Sequence, residues 1–314
     1  MSAVETRGVI DLAHEPSFVQ DRVALSVAGV IEPALQTLET RRAVLCPTDN
    51  IGSYDLWLRA RSLSSTHGKT EVFEALALLN RAIALDPRFA LALSTAAWCH
   101  SFILINSWSD DSKVHRREGV ALAHRSLRVG GDDPDVLTNT AVALWQLGEG
   151  VQPWLALIDR AIDLNPGSAS TWYLSGVLRL AAGEPEIVIE HIQLSVRLDP
   201  WSPNNSGRSF PLGAARFLQS RFVEAVVHLT EAAQSFELPF VFVFLAASFG
   251  HLGRASEARD ALARYRTLSR TPISAVAAMF PKPEHRKLFL DGIALAEGRS
   301  PADSSACGAQ PGAR

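Results

Sequence analysis

The chain is predicted to be all-α: a right-handed superhelical solenoid of about six helical hairpins, closed by a C-terminal capping helix. Three observations predict it. First, three stretches end alike, in Arg81-Ala-Ile-Ala-Leu-Asp-Pro87, Arg160-Ala-Ile-Asp-Leu-Asn-Pro166 and Ser195-Val-Arg-Leu-Asp-Pro200. Pro166 and Pro200 lie 34 residues apart, and Pro134 precedes Pro166 by 32. Proline forbids the helix before it from continuing, so a regular Asp/Asn-Pro stop marks a two-helix repeat. Second, Gly176, Gly213 and Ala246 recur where the two helices of one unit cross closely. Third, Gly148, Gly183 and Gly253 fall where each first helix must stop, and glycine takes the left-handed conformation of that turn cheaply.

Within one unit Trp172, Gly176, Gly183, Ile192, Ser195 and Pro200 follow at spacings of 4, 7, 9, 3 and 5. Another unit gives Leu212-Gly213, Ala225, Leu229 and Ala232, and a third gives Leu245-Ala246, Gly253, Ala258 and Leu262. Apolar residues then follow at helical spacing on the second helix, as at Ile187, Ile192 and Val196. This pattern resembles the tetratricopeptide repeat in its small, aromatic and terminal proline positions, over about residues 52–272. The expected units are 52–87, 88–134, 135–166, 167–200, 201–239 and 240–272. Three irregularities interrupt them: an insertion at Ile103–Asp111, a polar linker at Ser64–Thr70 and an extended lead-in at Trp201–Gly207.

The flanks differ from the array. Residues 1–50 form an N-terminal segment in which Phe18–Arg42 reads as a helix bent at Pro33, with Val23, Val27, Val30 and Ile31 on one face. A strand remnant is expected at most near Gly8–Leu12. Residues 273–297 form a capping region whose helix carries Leu288, Phe289, Ile293 and Leu295 on its apolar side, since a solenoid must cover the open face of its last repeat. Residues 298–314 are small, polar and rich in Pro and Gly, the composition of a disordered tail.

Composition excludes several function classes. A net charge of −3 over 314 residues gathers neither nucleic acid nor an anionic membrane, so no direct nucleic-acid binding is expected. The most apolar run, Leu238–Phe249, is shorter than the roughly 20 residues a membrane span needs, and fits a buried repeat helix. No charged-then-apolar leader stands at Met1–Glu15. Three scattered cysteines, Cys46, Cys99 and Cys307, read as a reduced, cytoplasmic protein.

A second resemblance lies at the start of the array. Phe18, Gln20 and Asp21, then Tyr54, Asp55, Trp57, Leu58 and Arg59, match two elements of a bacterial family. The family comprises class III adenylate/guanylate cyclases and related transcription regulators with a TolB-like domain and a tetratricopeptide half. Trp108-Ser-Asp-Asp111 looks like an insertion common in the same group. The resemblance implies the non-catalytic C-terminal half of such a protein, because the preceding residues have no room for roughly 180 residues of cyclase domain or for a winged helix.

No chemistry-bearing set emerges from the spacing. His100, His115 and His124 are 15 and 9 residues apart, which puts no two on one helical face at i, i+4, and Cys99 faces another way. Asp110-Asp111 and Asp132-Asp133 read as helix caps, Gly130-Gly131 lacks a phosphate-loop context, and no serine has a nucleophile-elbow setting. The expectation is therefore a non-enzyme with no cofactor and no metal. Projecting the repeat register gives an inner partner-binding groove of Ser94, Trp98, Asn139, Ala143, Tyr173, Val177, Phe210, Ala214, Val243 and Ala247. The list is apolar and aromatic, and Asn139 alone suits a carboxylate clamp. The leading reading is a scaffold for a protein or peptide in a regulatory or signalling role. The alternatives are the regulatory half of a cyclase whose catalytic domain is another chain, and the sensor half of a transcription regulator.

Overall fold

The structure is a computed structural model that describes residues 52–202, 205–235 and 237–300. The expected helix at 18–42, the strand remnant near residues 8–12 and residues 301–314 of the tail lie outside the described residues. Among the described residues the chain is helical without strands. Six hairpins follow in order: α1 (Ser53–Ser64) with α2 (Lys69–Leu85), α3 (Ala90–Ile105) with α4 (Ser112–Gly130), and α5 (Pro134–Gln146) with α6 (Val151–Leu164). Next come α7 (Ala169–Ala182) with α8 (Pro185–Leu198), α9 (Ser209–Leu218) with α10 (Phe222–Ser235), and α11 (Pro239–His251) with α12 (Ala255–Leu268). A 3₁₀ turn, Asn205–Arg208, leads into α9, and α13 (Ile273–Ala278) and α14 (Pro283–Ala296) complete the chain.

The repeated Asp/Asn-Pro stops act as the sequence suggests. Asp86, Asn165 and Asp199 close α2, α6 and α8 with φ/ψ of −133/94°, −139/79° and −135/77°, outside the helical region that a following proline disfavours for its neighbour. Pro134 behaves differently. It is the first residue of α5, capped by Asp133, whose Oδ1 accepts from the amides of Asp135 and Val136 at 2.9 and 3.1 Å. Pro134 therefore starts a helix; the helix before it, α4, ends at Gly130. Of the other acidic residues read as caps, Asp111 holds the N-cap position of α4 without a side-chain bond, and Asp132 pairs with Arg160 instead.

The glycines divide into two jobs. Gly148, Gly183 and Gly253 have φ of 79°, 74° and 70° in the turn between the helices of a hairpin. Gly176 and Gly213 permit close crossing: a Cβ on Gly176 would lie 2.6 Å from Ile192 Cδ1, and one on Gly213 would lie 2.6 Å from Leu229 Cγ and 3.1 Å from its backbone nitrogen. In these two hairpins the second helix seats a branched apolar side chain against a bare backbone on the first.

Successive first helices (α1, α3, α5, α7, α9, α11) touch one another, whereas successive second helices make no comparable contact. The first helices therefore form the inner row of a curved array and the second helices its outer row, the arrangement that gives a solenoid its concave face. The apolar α11, nearly the whole of the Leu238–Phe249 run, is buried from Val243 to Gly250 and exposes Phe240 near its start, and no helix among the described residues is long and apolar enough to cross a membrane.

Candidate functional site

The inner row presents two different surfaces. Along α3, α5 and α7 it is partly open. Trp98 stacks on Phe102 with ring centroids 4.8 Å apart and planes 18° from parallel. His67, from the α1–α2 turn, meets both rings at 5.7 and 5.3 Å, and Trp108, from the α3–α4 turn, meets Phe102 at 5.5 Å. Trp98 and Phe102 remain half-buried, as do Asn139, Tyr173 and Val177 further along the row. Trp98 also packs against the cores on both sides of it, so it is both groove and wall.

Along α11, and at Phe217 of α9, the inner row is covered by α14. Phe217 and Phe244 meet Phe289 at 6.5 and 5.8 Å, and Phe244 meets Phe280 at 5.9 Å. A Cβ on Gly250 would fall on the Gly292 carbonyl oxygen, and one on Gly292 would lie 2.7 Å from the Ala247 carbonyl oxygen. His251 Nε2 lies 2.8 Å from the Leu288 carbonyl oxygen, to which it donates. At its start α14 reaches back to the end of α7, where His285 and Lys282 sit over Gly183.

These two surfaces decide where the expected groove residues stand. Trp98, Asn139, Tyr173, Val177 and Phe210 are half-buried on the inner row. Ser94, Ala143, Ala214, Val243 and Ala247 have no accessible surface, so none of these five lines an open groove. Ser94 bonds back to the Leu91 carbonyl at 3.1 Å, and Ala247 lies beneath α14. Phe210 packs edge-on against Phe244 at 5.8 Å and belongs to the covered half.

Sequence spacing missed contacts that form between helices. His100 on α3 and His115 on α4 approach with Nδ1 atoms 3.0 Å apart, while His124 is exposed elsewhere on α4. Burial, then the neighbouring His115, pushes the His100 imidazole down to about 4. No group of three metal-ligating side chains forms among the described residues. Ser175 Oγ lies 3.0 Å from His191 Nδ1, the geometry of a nucleophile and base. Ser175 has no accessible surface, however, so this bond joins α7 to α8 rather than facing a substrate. Beside it Arg179 donates to both oxygens of Asp159 at 2.5 and 2.7 Å and to Glu184 at 2.7 Å, tying α6, α7 and the α7–α8 turn together. Burial pushes the Cys99 thiol up to about 12, which makes it a poor nucleophile.

Arg208 is the cation that register projection overlooked. It lies 95% buried at the start of α9, near Tyr173, and donates to the Asp199 carbonyl oxygen at 3.0 Å. Its position in an irregular lead-in, outside the repeat pattern, hid it. The bond to the C-terminal carbonyl of α8 fixes that lead-in against the end of the preceding hairpin.

No family model matches the chain, and no curated protein matches it. Solved structures do. The chain is similar to the APC/C hetero-tetramer Cut9-Hcn1, with TM-score 0.58 and 15% identity, over 82% of this chain and 47% of that one. It is similar to PilW, a widely conserved type IV pilus biogenesis factor, with TM-score 0.52 and 13% identity, over 72% of this chain and 98% of that one. A tetratricopeptide repeat protein from Parabacteroides merdae overlaps it with TM-score 0.46 and 13% identity, over 82% and 94% of the two chains. The fold is a tetratricopeptide-type solenoid. Identities this low speak to fold alone.

Proposed function

We propose that the chain is a non-catalytic scaffold that holds a protein or peptide along the inner face of α3, α5 and α7, in a regulatory or signalling setting. The observation that carries this reading is the half-exposed aromatic group of Trp98 and Phe102, flanked by His67 and Trp108, on the row of first helices. Aromatic side chains of this kind give large contact area for little conformational entropy and anchor protein interfaces. Tyr173 and Val177 continue the half-buried surface toward the middle of the array. The regulatory setting rests on the resemblance at Tyr54–Arg59 to cyclase-linked and transcription-linked arrays.

A photo-crosslinking amino acid placed at Asn139 or Val177 tests the reading against one placed at the outer-row position Arg128. The expected outcome is that the inner positions capture one and the same partner and Arg128 does not. Equal capture at all three positions would remove the groove from consideration. A captured nucleotidyl cyclase or winged-helix protein would define the setting.

A further inference from the structure

The covering of α9 and α11 by α14 is more than an end cap. Four residues beyond each close-crossing position Gly176, Gly213 and Ala246, the first helices carry Leu180, Phe217 and Gly250. Leu180 and Phe217 belong to or pack against the cluster that contains Phe289, and Gly250 lies directly beneath Gly292. The equivalent positions of units 5 and 6 thus face a single helix, and Leu180 of unit 4 packs against the same cluster. The pairs Phe244 with Phe289, Ala247 with Gly292 and Gly250 with Ala296 differ by 45, 45 and 46 in residue number, so α14 runs beside α11 in the same direction.

This surface selects its occupant by shape. The approach of Gly250 to Gly292 is backbone against backbone, so the occupying helix needs glycine at the crossing. It also needs Phe289 three residues earlier and Ile293 one later, which are buried in the same cluster. The six hairpins take no helix from α14, whose covalent connection to them is residues 269–282, containing the short α13 with Pro272 and Pro281. The docked helix also carries a defect. The buried His285 Nδ1 has no hydrogen-bond partner, so docking leaves one polar group unsatisfied.

We propose that the inner face of units 5 and 6 is a helix-binding groove of which α14 is the resident, and that a partner presenting an amphipathic helix with a Phe-x-x-Gly-Ile core displaces α14 to bind there. This deepens the scaffold reading by naming a partner chemistry for the second half of the groove, and rests on it.

The test uses the full chain and a fluorescent synthetic peptide of residues Lys282–Glu297 as the partner helix. Phe289→Asp in the full chain ejects α14 while leaving the α9 and α11 surfaces unchanged. The peptide is expected to bind this variant at least tenfold more tightly than the unsubstituted chain, and a Gly292→Leu peptide is expected to bind neither. Excess peptide on the unsubstituted chain is expected to raise deuterium uptake in residues 283–296. Hydrogen exchange over residues 53–235 checks that the variant keeps its array. A folded variant that does not bind the peptide overturns the proposal. So does a variant whose α9–α12 unfold and stay unfolded with peptide present, because α14 is then inseparable from the core. Crosslinking at Asn139 and Val177 is independent of this result, so the two readings fail separately.

Discussion

Units 2–4 and units 5–6 are built on the same repeat, yet one half leaves its inner face partly open and the other fills it from within the chain. The open half has Trp98, Phe102, Tyr173 and Val177 half-buried. In the filled half the equivalent stripe lies under Phe289, Gly292 and Ile293. The repeat register sets which residues face inward, and an element outside the register sets which of them meet solvent.

Substitution at the filled half should have the largest effect. Gly250→Leu sets a side chain against the Gly292 carbonyl, where neither backbone can yield. We expect a loss of about 3 kcal/mol or more, at or beyond the upper end of overpacking costs. Deuterium uptake should rise first in residues 239–300 and leave 53–146 protected. Uniform loss of protection would mean the halves do not differ in this way.

Acid should act on both halves, through different histidines. Burial lowers the imidazole of His100 to about 4, with the adjacent His115 adding to the shift and Glu118 opposing it. Burial also lowers His285, with Lys282 adding and Glu284 and Glu186 opposing. Both are held neutral in the fold, so the unfolded chain binds more protons below about pH 6.5. Stability contributed by keeping them neutral is present in full above that pH. It is lost as pH falls from about 6.5 toward 4, by on the order of 3 kcal/mol for His100. Urea melts at pH 7.5 and 4.5 measure the total. His100→Leu should flatten the dependence; acid should also raise deuterium uptake in α14, and His285→Leu should reduce that rise. A pH-independent midpoint would remove both histidines from the account.

Gly213→Leu and Gly176→Leu test the hairpin crossings on which both halves depend. Each should cost about 1–3 kcal/mol, with Gly213 the more severe because its added atoms meet the Leu229 backbone as well as its side chain. Exposure should begin within residues 169–235. Trp98→Ala should cost about 2 kcal/mol because the ring also packs between neighbouring cores. Trp98→Phe, which keeps most of that packing, separates stability from partner binding. The smallest effect belongs to Arg160→Ala: its ion pair with Asp132 is solvent-exposed on both sides and should change the midpoint by less than about 1 kcal/mol.

Much of the fold was legible because its determinants are local. An Asp/Asn-Pro pair cannot continue a helix, and a glycine at a fixed interval marks a turn or a crossing wherever it occurs. Pro134 was misleading for the same local reason: proline also suits the first turn of a helix, and only the Asp133 cap and the preceding Gly130-Gly131 separate the two roles. The site was less legible. Projection assigned Val243 and Ala247 to an open groove, but register does not show that α14 returns to cover α11, where both are buried. The contacts of His100 with His115 and of Ser175 with His191 join opposite helices of a hairpin, so no i, i+4 search finds them.

The return of α14 has a mechanical consequence. In an array whose outer helices make no contact comparable to that of the inner row, bending is resisted mainly by the inner row and by each second helix against the next unit. A rigid rod fastened to the end of α7, to α9 and to α11 acts there as a splint. Units 5 and 6 are then expected to be the stiffer segment, with compliance at the joints among units 1–4. The superhelix can then change its pitch at the open aromatic surface while its C-terminal end keeps a fixed curvature.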